Sequence, residues 1–481
     1  MKRWMILLLF IWLISSASAD TGEWQLVGPG GGGPLTSIVE DPLNGSIMYI
    51  TINVAGVRRS MDGGQTWQVI NRGFDFETKG ENAQRMMDVY VHPNNNSILL
   101  AAGLEGDIYE SSNQGDLWNL SYRHPGEDVQ GDYHYSRFLG DYEDPNIVYV
   151  AVGSIQLLIF GVDARKTGEF WPMLNIGPTI LKGTWDGANW NWLGIGRICE
   201  DNVGISGQGG GLCLNVYSIG INPDNTTEFF FVTEKGVFRA EEDQFGYLQD
   251  MRRISKAAID NGLPTGPEID GGQIVFDKDN LGVAYLTIYN AENLTSAGGV
   301  YKSMDYGRNW TKLTNGLEDF SNYFDIKIDP KNSSILYVGR TRQKIYETGN
   351  WIGGNVYRSF DSGASWEKLL YENLANIDGG WESFRIEREK FGAHLINILK
   401  HADNVLWNMG SMFFKPENLS EQYTQWTNTL SEKLGPNEWK TTGAESIAIA
   451  FSITVDPQDS DTIYIPYGDL AYFKSINGGG V

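Results

Sequence analysis

Cysteine is almost missing from this chain. Only Cys199 and Cys213 occur, flanking the glycine-rich "EDNVGISGQGGGL". At most one disulfide can form, and an oxidising compartment favours it; two unpaired thiols are the other reading. Histidine is scarce too. His92, His124, His134, His394 and His401 are scattered without the spacing of metal ligands, so no metal and no cofactor is expected. Basic residues are few, 37 against 60 acidic, for a net charge of −23. Such a field repels nucleic acid and anionic lipid. Beyond the N-terminus no apolar run approaches the roughly 20 residues of a membrane span.

The one apolar run opens the chain. "MKRWMILLLFIWLISSASAD" has two cations, an apolar stretch and small residues ending in Ala17-Ser18-Ala19. That is the pattern of a secretory signal peptide cleaved before Asp20. The mature protein is expected to be secreted, extracellular or periplasmic, with no membrane span.

What the sequence has in abundance is repetition. "SMDGGQTW" (60–67) returns as "SSNQGDLW" (111–118), "SMDYGRNW" (303–310) and "SFDSGASW" (359–366), and "SINGGGV" (475–481) begins it again. A second phrase precedes the octets: alternating apolar residues, an Asp-Pro-like turn, then a hydrophobic strand. "LTSIVEDPLNGSIMYIT", "MMDVYVHPNNNSILLAA" and "YFDIKIDPKNSSILYVG" are three copies. Period-two alternation with turn residues and aromatic enrichment predicts antiparallel strands. The turn markers fall at 41, 92, 144, 222, 277, 329 and 456, mostly 51 to 55 residues apart. That spacing is one four-stranded blade, and the expected fold is an all-β, seven-bladed-type β-propeller. The two long gaps require insertions or a degenerate blade.

Five copies of one phrase argue for architecture, because an enzyme seldom needs five copies of one active site. The Asp can accept bonds from turn amides, the Gly permits positive φ, and the Trp can cover a blade core. The octet resembles the Asp box of sialidases, sortilins and several secreted glycoside hydrolase propellers, where it lies on the rim away from the ligand. Ser60, Asp62, Gly64, Trp67, Trp118, Asp305, Trp310, Asp361 and Trp366 are therefore expected to be fasteners.

The order of motifs resembles one family more closely: the xyloglucanases and related reducing-end cellobiohydrolases, built from two tandem seven-bladed propellers. The segments that carry this are "GPGGGGPLTSIVEDPLNGSIMYITINVAGVRRS" (28–60), "TTGAESIAIAFSITVDP" (441–457) and "YGDLAYFKS" (467–475). The resemblance implies an inverting hydrolysis with one Asp from each propeller facing a cleft. One carboxyl protonates the leaving oxygen while a carboxylate roughly 6.5–9.5 Å away activates water. The acid position falls on Asp469 and the base position on Asn53. An Asn cannot take that proton at neutral pH, so another carboxylate, Glu40 or Asp88, would have to supply the base.

A polysaccharide or oligosaccharide partner is implied, with a protein partner left open. "GTWDGANWNWLGIG" (183–196) places Trp185, Trp190 and Trp192 in a loop-like Gly- and Asn-rich context, and "GDYHYSR" adds Tyr133 and Tyr135. These aromatics are the candidate sugar platform. From Trp381 the helical spacing of Phe384, Phe391, Leu395 and Leu399 predicts a helical or irregular insertion. The expected layout is a signal peptide (1–19), a propeller (20–380), that insertion (381–440) and the start of a second propeller (441–481), cut short inside an octet. The rival reading is a non-catalytic, sortilin-like or assembly-factor-like propeller. A sialidase is weaker, since its arginine triad cannot be assembled from the motifs present.

Overall fold

The computed structural model describes residues 35–79, 83–103, 106–123, 133–135, 137–154, 180–196, 198, 214, 216–233, 235–255, 261–264, 271–289, 298–318, 322–340, 343–344, 351–352, 354–370, 377–378, 396–399, 404–409, 412–428, 431–435, 438–441, 454–467 and 471–475.

Six antiparallel sheets follow one another, and in each a path of four strands pairs in chain order, with Tyr133–Tyr135 added off that path in the third. The first consists of Leu35–Glu40, Met48–Ile52, Gly56–Ser60 and Gln68–Val69. The second begins at Met86–Val91, the third at Leu139–Gly140, the fourth at Val216–Asn222, the fifth at Ile274–Phe276 and the sixth at Tyr323–Ile328. The segments "GVRRS", "GVYKS" and "NVYRS" are each the third strand of a sheet. Among the described residues the only α-helix is Phe76–Lys79.

The blades are apolar on both faces because each is packed between two neighbours. "FFF" at 229–231 shows it within one strand: Phe229 and Phe231 join the core shared with the third blade, while Phe230 joins the core shared with the fifth. All three are fully buried. Each such side chain contributes roughly 1.5–3 kcal/mol by leaving water.

The octets link the third and fourth strands of the first, second, fifth and sixth blades. In the sixth, Ser365 donates to Asp361 through its amide (2.8 Å) and hydroxyl (2.6 Å), and the Gly363 amide donates to Ser359 Oγ (2.9 Å). Trp366 Nε1 then closes on the Gly363 carbonyl at 3.1 Å. Asp62 and Asp305 accept the corresponding amides, from Thr66 and Asn309, both at 2.8 Å. The two blades without an octet keep an Asp at the same turn: Asp186 accepts the Ala188 and Asn189 amides (both 2.9 Å), and Asp243 accepts that of Phe245 (2.8 Å).

The expectation of seven blades is corrected to six. After the sixth comes a sheet of different make, with Ile377–Asp378 added parallel to the edge of a four-stranded meander that spans Ile396–Leu399 to Trp426–Asn428. Val405, Leu406, Phe414 and Trp426 of this sheet pack with Leu35, Ile50 and Ile52 of the first blade and Tyr337 and Val356 of the sixth. It therefore fills the space between the first and last blades. The helical insertion expected over 381–440 is likewise corrected where it is described: Leu399 ends a strand that pairs back on Asn404–Met409. A strand, not a helix, satisfies the backbone groups that sheet pairing requires there. Phe384, Phe391 and Leu395 lie outside the described residues. Over 441–481, where a second propeller is expected, the described residues form one three-stranded sheet, Thr454–Asp456, Asp459–Tyr467 and Ala471–Ser475, and a second propeller is not shown.

Candidate functional site

Strand direction gives the blades two ends. The octets and the Asp-Pro turns lie at one. At the other lie the starts of the innermost strands and the turns between second and third strands, including Asn53 between Met48–Ile52 and Gly56–Ser60. Asn53 is buried, and its Oδ1 bonds to no described residue.

At this second end a polar residue stands four positions before the Asp, Asn or His of each blade's first turn. The six are Ser37, Asp88, Arg137, Ser218, Gln273 and Asp325, one per blade, and all line a cavity of about 670 Å³. In the first, second, fourth and sixth blades the pairing register shifts just before this residue. A bulge there re-aims a side chain. Lys327, two residues after Asp325 on the same strand, also faces the cavity.

The ring is charged but internally matched. Asp325 Oδ1 accepts from Lys327 Nζ at 3.0 Å, and its Oδ2 accepts from Arg137 Nη2 at 3.4 Å. Gln273 Oε1 takes Lys327 Nζ and the Ile326 amide, both at 3.1 Å. Asp88 Oδ2 accepts the Phe138 amide at 2.8 Å. Burial pushes the Asp88 carboxyl above its ordinary range, partly offset by the neighbouring Arg137. Burial, with Arg137 adding to it, lowers the Lys327 ammonium to about 8, against the opposing pull of Asp325. Buried ionisable groups shifted in this way inside a cavity make it a candidate functional site. The ring was readable in principle as a polar residue at a constant offset from each turn.

The other candidates fall in different places. Trp185 and Trp190 sit on the third blade's strands Ile180–Trp185 and Trp190–Gly196, not in a loop, at the octet end of that blade. Trp190 is buried at 4% exposure. Its ring lies 5.7 Å from Trp185 and 6.3 Å from Trp192, and the three pack against the core between second and third blades. Trp192 Nε1 donates to Ser121 Oγ at 3.0 Å. The sequence context misled because Gly and Asn supply the hairpin turn Asp186–Asn189, while the tryptophans flank it as core. Tyr133 and Tyr135 lie on a short strand paired with residues 152–154, at the Asn53 end of the third blade. Glu40 ends its strand at the octet end, away from Asn53. Asp469, Cys199 and Cys213 lie outside the described residues.

Comparison with solved structures places this architecture. An ancestral GH74 enzyme superposes with a TM-score of 0.63 at 20% identity, covering 95% of this chain and 55% of its own. The GH74 enzyme of Niastella koreensis (TM-score 0.57, 15% identity) covers 95% of this chain and 66% of its own. For the GH74 xyloglucanase of Xanthomonas campestris the values are 0.57 and 14%, with coverage of 95% and 68%. The propeller fold is shared with the GH74 enzymes. This chain spans little more than half the length of the first of them. No family profile matches the sequence, and no curated protein does.

Proposed function

We propose that this protein is an exported, glycoside-hydrolase-like propeller that binds β-1,4-glucan or xyloglucan-type polysaccharide on the Asn53 face and hydrolyses it very slowly. The observation that carries this reading is the GH74 fold along 95% of the chain. The chemistry follows from the two mapped positions. Asp469 would protonate the leaving oxygen. Asn53 holds the position of the water-activating base, and its amide cannot accept the proton. Asp88 is a poor replacement, since burial favours its protonated form, and Glu40 is at the wrong end.

Affinity electrophoresis of the full chain in xyloglucan gels should show retardation, while release of reducing ends stays near background. Water activation typically contributes about 10²–10⁴-fold, so Asn53→Asp should raise the cleavage rate by at least the lower figure. Adding Asp469→Asn should remove the gain. Brisk cleavage by the unaltered protein would mean that another carboxylate is the base. An Asn53→Asp protein that binds glucan but never cleaves it would favour the non-catalytic, sortilin-like or assembly-factor-like reading, to which Asn53 itself already points. Absence of any glucan binding would end the proposal.

A further inference from the structure

Eight Asn-x-Ser/Thr triplets occur in the sequence, at Asn44, Asn95, Asn119, Asn225, Asn293, Asn309, Asn332 and Asn418. Seven lie within the described residues, and all seven asparagines are exposed. They also share one end of the blades. Asn44, Asn95 and Asn332 occupy the turn between first and second strands in the first, second and sixth blades, and Asn225 begins the second strand of the fourth blade directly after that turn. Asn309 lies within an octet, Asn119 directly follows one, and Asn418 lies in the last turn of the closing sheet. None of the seven is at the Asn53 end.

The asparagines of these four triplets share one main-chain bond. Each Oδ1 accepts the amide of the hydroxyl residue two positions on: Ser46, Ser97 and Ser334 at 3.1 Å, and Thr227 at 3.4 Å. That fastening explains the Asn and leaves its Nδ2 pointing to no described acceptor. It does not explain the Ser46, Ser97 and Ser334 hydroxyls, which bond to no described residue; at the fourth site the Thr227 hydroxyl also donates to Asn225 Oδ1, at 2.7 Å. The other three differ. Asn309 Nδ2 is held by Asp305 (2.6 Å) and Asn418 Nδ2 by Glu421 (2.8 Å), while the Ser121 hydroxyl of the Asn119 triplet is held by Glu110 (2.8 Å).

We infer that Asn44, Asn95, Asn225 and Asn332 are N-glycan acceptors, so that carbohydrate covers the octet end and leaves the Asn53 end open. The triplet is the acceptor signal of exported proteins, and the attached sugar requires a surface position. The donor class is a polyprenyl-diphosphate-linked oligosaccharide. Nδ2 bonds to the anomeric carbon and gives up one proton, the glycosyl–phosphate bond breaks, and polyprenyl diphosphate leaves. The inference rests on the export part of the proposed function, and on neither glucan binding nor cleavage.

The full chain, secreted from yeast behind that host's own leader, separates this from any failure of the native leader. Glycoamidase digestion leaves Asp wherever a glycan was attached, and peptide mass spectrometry should find Asp at 44, 95, 225 and 332. Ser46→Ala, Ser97→Ala, Thr227→Ala and Ser334→Ala keep the amide that fastens each turn. Each should lose its own glycan alone, and the three serine variants, whose hydroxyls bond to no described residue, should keep an unchanged melting temperature. Conversion at none of the four positions, or only at Asn119, Asn309 and Asn418, would overturn the inference.

Discussion

Single residues carry the contacts between neighbouring blades. The tryptophan amides of three octets donate to the previous blade: Trp118 to the Arg72 carbonyl (2.9 Å), Trp310 to that of Asn261 (2.7 Å) and Trp366 to that of Asn315 (3.0 Å). A glycine follows each acceptor. At Gly316, φ is +84°, and an added Cβ would lie 2.0 Å from the Trp366 carbonyl oxygen. Gly187 has φ of +98° and nothing within 4 Å. Gly187→Ala should therefore cost only the left-handed penalty, about 1–2 kcal/mol. Gly316→Ala adds a backbone collision that no side chain can relieve, for a loss of roughly 3 kcal/mol or more. Urea unfolding of the two variants checks the order, and equal losses would count against the latch. These glycines stood in the sequence as "NRG", "DNG" and "TNG", one before each of three octets. They read there as ordinary turns, because the partner carbonyl lies some fifty positions downstream.

At the scale of the element, the octet was legible because its bonds are local. Ser359, Asp361, Gly363, Ser365 and Trp366 fasten one another within eight residues, so the spacing alone conveys the geometry. The charged ring could be read only as a constant offset from each turn, with nothing local to say that its members meet. Asp88 in "MMDVYV" and Asp325 in "YFDIKI" look like the wet face of a half-buried strand until the blades close around an axis. The octets also allow a prediction that separates two similar substitutions. Asn113 already fills the acidic position of the second octet, accepting from Ser111 Oγ at 2.8 Å and the Leu117 amide at 3.0 Å. In Asp361→Asn, the Ser365 hydroxyl can turn to accept from the new amide, so the loss should stay below about 1 kcal/mol. In Asp305→Asn, the new amide would face Asn309 Nδ2 at 2.6 Å, donor against donor, and the loss should be larger. The Ser365 hydroxyl and amide hold the Asp361 carboxyl below the usual range. A lowered folded pKa stabilises the protein above the unfolded value near 4, and that stabilisation is lost as pH falls through the folded value. Asp361→Asn should therefore flatten the acid limb of the stability curve below about pH 4, as measured by thermal melts across pH.

The whole molecule depends on closing the ring, and closure is the feature that sequence periodicity left out. The turn spacing breaks after residue 329, where a short hairpin (Gln343–Lys344 with Trp351–Ile352) and then the five-stranded sheet intervene. The segment from Trp381 reads as a helix by apolar spacing, yet Ile396–Leu399 pairs as a strand with Asn404–Met409, in a sheet that faces both the first and the sixth blade. Without that sheet, Leu35, Ile50 and Ile52 on one side and Tyr337 and Val356 on the other would meet water. At roughly 1.5–3 kcal/mol for each side chain, their exposure approaches the total stability of an ordinary domain, about 5–15 kcal/mol. A chain ending at residue 370 should therefore self-associate or melt without a cooperative transition. A chain ending at residue 441 retains the closing sheet and should melt in a single step. Calorimetry and light scattering distinguish them: if the shorter chain is monomeric and melts as sharply as the longer, the ring stands on its six blades and the five-stranded sheet is an accessory.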